Sequence, residues 1–249
     1  LDFGLFSLYR REKVYTAYGA KLISEKKSRK NRKENIIYSS LEVGQYESER
    51  KDHKEFITLS RYKLIGSLSN TYKVFGPDYS KENISKEYKY SPKVVDKGIY
   101  ITSKLSGAHL GYSNNSHQSG LSASIRPTFV FGDLKNNFLD YTYISLMGEY
   151  SLKDGESPFG FDNLNSDARL TLNFGQQIFG PLIFEFDGTI NLNGSSSNFG
   201  KIYDENYSIG ISRRAYSFFA YYKPDKEEIG FNLKIFDFDF KGNPKEFEY

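Results

Sequence analysis

The sequence predicts an all-β fold, an antiparallel transmembrane β-barrel of about fourteen strands, closed on itself or part of a larger barrel. Three observations predict it. Many stretches of about ten residues alternate apolar and polar side chains, the length and dyad pattern of a tilted strand crossing a bilayer. No segment has a helical period, and none approaches the ~18 consecutive apolar residues of a spanning helix. Tyr and Phe, 21 of each, dominate a chain that is 17% aromatic without Trp, and both favour strands and membrane interfaces.

Taken in order, the first strands are Asp2–Arg10 and Lys13–Ile23, with Phe3, Leu5, Tyr18 and Leu22 facing outward, joined tightly through Arg10–Glu12. Ser24–Asn35 has no apolar residue and is expected to be a mobile loop. Ile36–Tyr46 is a strand, and a charged loop, Glu47–Glu55, follows it. Phe56–Ile65 is a strand, and Gly66–Val74, with a weaker pattern, returns as another. After the irregular segment Gly76–Lys97, Ile99–Leu105 and Gly107–Tyr112 form a pair of short strands.

Leu121–Phe131 opposes Leu121, Ala123, Ile125, Phe129 and Phe131 to Ser122, Ser124, Arg126 and Thr128. Pro127 predicts an irregularity within it, because proline cannot donate to a ladder. Phe138–Leu152 and Asp167–Phe179 follow on either side of the loop Lys153–Ser166. In Leu182–Asn193 the two faces separate cleanly: Leu182, Phe184, Phe186, Ile190 and Leu192 against Glu185, Asp187, Thr189, Asn191 and Asn193. Tyr207–Arg213, Tyr216–Lys223 and Ile229–Phe240 complete the set. Tight connections at Arg10–Glu12, Gly180–Pro181 and Arg213–Ala215 contrast with longer ones elsewhere, as when short turns gather on one side of a membrane and long loops on the other. An extracellular β-sandwich that binds glycans shares the alternation but ordinarily has strands of about five or six residues.

Composition narrows the function classes. There is no Cys, hence no disulfide framework or thiolate chemistry. The net charge of +3 is too weak and too mixed to argue for nucleic acid, and no aromatic positions interleave the basic run Lys26, Lys27, Arg29, Lys30, Arg32, Lys33 for base stacking. That run is a solvated segment or a contact for the phosphates of a surface glycolipid, with arginine bidentate and lysine a point charge. His53, His109 and His117 lack metal-ligand spacing, and no cofactor is implied. Gly155-Glu156-Ser157-Pro158 lacks the flanking glycines of a nucleophile elbow. Glu185 and Asp187 share a face as glycosidase carboxylates would, but nothing else supports such a site. With Arg126, Arg169, Asn191, Asn232 and Lys234 they are expected to face a polar lumen. Arg213 and Arg214 belong at the rim, where an arginine's cost in lipid falls towards zero. Tyr216, Phe218, Phe219, Tyr221 and Tyr222 read as an aromatic girdle.

Several motifs occur in a recognisable order: Leu139-Asp140-Tyr141-Thr142, Gly155-Glu156-Ser157-Pro158-Phe159-Gly160-Phe161-Asp162 and Gln176-Gln177-Ile178-Phe179-Gly180-Pro181-Leu182. Ile211-Ser212-Arg213-Arg214-Ala215-Tyr216, Tyr221-Tyr222-Lys223-Pro224 and Gly230-Phe231 follow. From about Gly98 onward the chain thereby resembles a cyanobacterial outer-membrane domain grouped with the C-terminal barrel of LptD, the lipopolysaccharide-assembly protein of the organic solvent tolerance family. The resemblance implies a non-enzymatic outer-membrane barrel that receives lipopolysaccharide, or a related glycolipid, from a periplasmic lipid-transport bridge and inserts it into the outer leaflet. The absence of Cys excludes within this chain the disulfide-controlled maturation of proteobacterial members. Residues 1–249 are read as the C-terminal barrel portion of a longer protein, with any export signal and receiving domain upstream. The polar registers alone also fit a passive porin-like channel. A barrel that releases lipid sideways needs one weak strand pair. The alternation of Ile229–Phe240 slips at Ile235-Phe236 in the manner of a bulge, and its expected closing partner is Asp2–Arg10.

Overall fold

The computed structural model describes residues 2–8, 16–49, 56–76, 90–91, 95–164, 166–238 and 244–246. The expected connection Arg10–Glu12, His53 and most of the charged and irregular segments at 50–55 and 77–89 lie outside these residues. One antiparallel sheet contains β1 (Asp2–Leu8), β2 (Thr16–Lys30), β3 (Lys33–Glu49), β4 (Phe56–Phe75), β5 (Gly98–Tyr112) and β6 (His117–Gly132). It continues through β7 (Tyr141–Gly155), β8 (Asp167–Phe179), β9 (Leu182–Asn191), β10 (Ile202–Ser212), β11 (Tyr216–Lys223), β12 (Glu228–Phe238) and the three-residue β13 (Pro244–Glu246). Every ladder joins strands consecutive in sequence. The described helical structure is confined to two 3-10 turns, Gly160–Asp162 and Pro224–Lys226, and no helix is long and apolar enough to cross a membrane.

Twelve longer strands replace the expected fourteen because neither Gly66 nor Gly107 breaks the chain. Each continues an extended strand, and the two are direct cross-strand partners in the β4–β5 ladder. A lone glycine without adjacent turn residues lets two backbones stay paired as readily as it ends a strand. The expected mobile loop Ser24–Asn35 is also a correction. It is the far end of the β2–β3 hairpin, paired from Ser24↔Ser39 to Lys30↔Lys33. Asn31 makes the turn at φ 52°, a left-handed conformation that asparagine tolerates. Charged side chains do not prevent pairing here, because both faces of the hairpin end are solvated and Glu34 pairs with Lys27 and Arg29.

Other irregularities fall where local chemistry demands them. At Pro127 the β5 rung persists as Ile101↔Pro127. On the β7 side the register runs from Ile125↔Gly148 to Thr128↔Ser145 without the two rungs between. Bulges interrupt β4–β5 between Lys73 and Phe75, β8–β9 between Gln177 and Phe179, and β9–β10 between Tyr203 and Asn206. The expected slip at Ile235-Phe236 is not a bulge. The β11–β12 register is continuous to Tyr216↔Ile235, and Phe236 is simply buried on the inner face. Among the described residues no ladder joins β1 to β12, and β12 instead pairs at Phe236–Phe238 with β13.

The antiparallel order fixes two ends. One end holds the turns at Asn31–Arg32, Gly180–Pro181 and Arg213–Ala215, together with the first residues of β1 and the last of β12. The connections after β5, β7, β9 and β11 are at the other. The separation of short from long connections is partial, because the turn end also carries the β6–β7 loop 133–140.

Candidate functional site: the inner face and its plug

The two faces of the sheet differ in kind. Along β4 the outer face presents Tyr62, Leu64, Leu68, Tyr72 and Val74, all exposed, while Arg61 and Lys73 on the inner face are buried. The same outward apolar register continues across the sheet, through Leu41 and Val43, Leu121 and Ile125, Ile209 and Ile211, to Phe231 and Leu233. Ser40, Gln118, Ser145, Thr189, Ser208 and Ser217 are buried on the opposite face. A water-soluble sheet hides its apolar face and exposes its polar one; this sheet does the reverse.

At the end opposite the turns, the segment after β7 folds inward and plugs the concave face. Phe159 is fully buried in a cluster with Ala17, Tyr46, Leu110 and Tyr112 from β2, β3 and β5, and its ring stacks on Phe161 at 5.1 Å. Beneath the rings lies an ionic latch. Arg61 Nη1 donates to both carboxylate oxygens of Asp162 at 2.5 Å. Arg61 Nη2 donates to Tyr46 Oη at 2.6 Å and also bonds Glu42. The guanidinium lies 3.9 Å from the Tyr46 ring centroid, the geometry of a cation–π contact. Tyr112 Oη donates to Ser157 Oγ at 2.8 Å and lies 3.3 Å from Asp162 Oδ2. Gln118 Oε1 accepts from the Leu164 amide. Buried ions persist only when paired and hydrogen-bonded; the latch pairs Arg61 with Glu42, Tyr46 and Asp162 from two other segments, leaving the buried Arg61 Nε without a partner among the described residues. Sequence reasoning missed it; two phenylalanines inside an otherwise polar loop were the available signal.

The expected inward positions are all on the inner face. Arg169 Nη2 donates to Glu149 at 2.7 Å, and Arg126 Nη2 approaches the Met147 sulfur at 2.8 Å. Asp187 accepts from Asn173 and Asn206, Glu185 accepts from Ser208, and Asn191 bonds Ser196 and the Asn193 amide. Glu185, Asn232 and Lys234 line a cavity of about 620 Å³ between β9 and β12, floored near the turn end by Leu134, Ile183 and Phe236. Of the expected girdle, only Tyr216, Phe218 and Tyr222 are exposed on the outer face; Phe219 and Tyr221 line this cavity. Arg213 sits at the turn end with its guanidinium 5.4 Å from the Tyr90 ring.

The turn end is closed over by the β6–β7 loop. Gln177, fully buried, donates through Nε2 to Asn136 O and Gly180 O, and its Oε1 accepts from the Asp140 amide. Asp140 in turn accepts from the amides of Lys135 at 2.8 Å and Asn136 at 2.9 Å. Burial raises the Asp140 pKa, but the hydrogen bonds from Asn136 and Lys135 outweigh it and hold the carboxyl below its ordinary value. Buried Lys73 bonds Asp96 at the same end.

The six basic candidates separate by face. Lys27 and Arg29 share an ion-pair partner, Glu34, at 3.3 Å and 2.6 Å. Arg32 is in the turn and donates to Gly76 O at 3.4 Å. Lys26, Lys30 and Lys33 occupy the outer register with Leu22 and Ile37. On that same face His109 Nδ1 is 2.8 Å from Ser119 Oγ and its Nε2 is 3.0 Å from Tyr62 Oη. Among the described residues no group of His, Asp or Glu converges to hold a metal ion.

The fold and site define a class: an all-β protein whose single antiparallel sheet is apolar on one face and polar on the other, with the segment after β7 packed on the polar face. By sequence the chain belongs to the family described as protein of unknown function DUF3769, which matches residues 8–239. No curated protein and no solved structure matches it.

Proposed function

We propose that the chain forms an outer-membrane barrel domain that receives lipopolysaccharide or a related glycolipid from a periplasmic lipid-transport bridge and delivers it into the outer leaflet. The observation that carries this reading is the inverted polarity of the sheet combined with terminal strands that, among the described residues, leave its two edges unjoined to each other. An apolar outer face on strand after strand suits lipid, and an unjoined pair of edges supplies a sideways exit that a fully paired wall lacks. The ordered motifs from Leu139 to Phe231 support the same assignment. By the usual arrangement of such barrels, the end with the three tight turns and both terminal strands faces the periplasm.

A passive porin-like channel fits the polar inner face but not the plug, whose buried Phe159 and latched Asp162 lie across that face. Depletion of the protein separates the two readings. Loss of surface lipopolysaccharide with unchanged small-solute uptake is expected; loss of uptake alone would replace delivery by passive conduction. A paired-cysteine lock between β1 and β12 then tests the exit. Normal delivery by the locked protein would show that these edges are not the route.

A further inference from the structure

The β2–β3 hairpin carries its cations in two electrostatically different rows. On the inner row, Lys27 and Arg29 both pair with Glu34, which offsets one of their two charges. On the outer row, Lys26 and Lys30 make no hydrogen bond or ion pair among the described residues, and Lys33 has only the Tyr72 ring, 6.0 Å from its Nζ. Lys30 and Lys33 are direct cross-strand partners. Like charges set opposite each other destabilise a ladder, so this pair has a reason to recruit an anion.

Two further facts locate that anion. The lysine row continues the outer apolar register of the same two strands, with Leu22 below Lys26 on β2 and Ile37 opposite Lys26 on β3. It also lies at the turn end, on a hairpin whose outer edge from Ser24 to Lys30 has no described β1 partner. A row that passes from leucine and isoleucine to three lysines crosses from hydrocarbon to headgroups, where long lysine stems extend their charges to the surface.

We infer that Lys26, Lys30 and Lys33 form a docking row for the phosphates of anionic phospholipids in the leaflet at the turn end. The inference rests on the membrane-spanning reading above and deepens it. It moves the basic run's partner from the transported glycolipid to the surrounding leaflet and restricts the contact to three of the six cations. Lysine suits this role because it acts as a mobile point charge and does not need the fixed bidentate geometry of arginine.

The test uses the full chain in nanodiscs of phosphatidylcholine doped with phosphatidylglycerol, with retained lipids counted after gentle release by native mass spectrometry. Each lysine near an anionic surface contributes about fivefold. Lys26→Gln/Lys30→Gln/Lys33→Gln is therefore expected to lower the preference for phosphatidylglycerol by at least about tenfold. The inner-row variant Lys27→Gln/Glu34→Gln, which removes a cation together with its carboxylate and leaves the net charge unchanged, should keep it within about twofold. High salt should erase the wild-type preference and leave the triple variant unchanged. Equal preference in wild type and triple variant, or equal losses in the two variants, would overturn the docking row while leaving the membrane reading intact. Failure of the wild type to enter nanodiscs would instead overturn the membrane reading.

Discussion

The plug latch is the most exposed test of the inner-face architecture. Arg61→Leu would leave the Asp162 side chain, only 3% exposed, and the Glu42 carboxylate facing each other without their cation. Breaking a buried ion pair from one side costs about 3–5 kcal/mol. The opposing hold of the fully buried Phe159 is about 1.5–3 kcal/mol, so the charge penalty exceeds the grip of the ring and the plug is released. Asp162→Asn is milder, since Arg61 keeps Glu42 and Tyr46 and loses one charge-assisted contact of about 1.5–3 kcal/mol. Hydrogen exchange at the Leu164 amide, which bonds Gln118 Oε1, reads the opening directly. At 1.4 kcal/mol per tenfold, the loss predicts acceleration of about a hundredfold or more for Arg61→Leu and about ten- to a hundredfold for Asp162→Asn. Exchange in Arg61→Leu within about threefold of wild type, with the strand amides still protected, would refute the claim that the latch holds the plug.

Other consequences are equally direct. Gly132 sits at φ +73° and a Cβ there would come within 1.3 Å of the Asp140 carbonyl oxygen, whereas Gly148 has nothing within 4 Å. Gly132→Ala should lower stability by about 1–3 kcal/mol and Gly148→Ala should change it by less than about 1 kcal/mol, read as shifts in the thermal midpoint in detergent. Because Asp140 is held below its ordinary pKa, its contribution is complete above the unfolded carboxylate value of about 4 and is lost as pH falls through the depressed folded value. Exchange at the Lys135 and Asn136 amides should therefore lose protection in acid beyond the intrinsic pH effect, and Asp140→Asn should flatten that response; an identical response in the variant would contradict it.

Much of the fold was legible because period-two alternation is a direct physical imprint of a sheet with two unlike faces. Asp167–Phe179 and Tyr216–Lys223 coincide with their strands, since turn residues bound each run. The errors came where composition and geometry diverge. The run Ser24–Asn35 has no apolar residue, yet pairing needs only backbone groups and a left-handed Asn31. The strands that continue through Gly66 and Gly107 read as two short pairs because the cross-strand pairing of these glycines is invisible in one dimension. That the residues from Arg126 to Lys234 share one face of the sheet was legible for the same reason as the strands. The Arg61–Asp162 latch was not: its partners are 101 residues apart, and no local pattern links an arginine in one strand to a loop three strands later.

That separation has a consequence for how the molecule assembles. Each ladder joins neighbours in the chain, so most hairpins can add to the last with a short loop closure, and even the long connection 76–97 between β4 and β5 adds little, because closure entropy grows slowly with loop length. The plug is the exception, since it must meet residues on β2 to β5 that are already fixed in the wall. Its docking is therefore a late event, following formation of β7 and of the β4–β5 ladder that presents Arg61 beside Leu110 and Tyr112. Removing the latch should accelerate undocking of the plug while leaving the rate of strand-by-strand assembly unchanged.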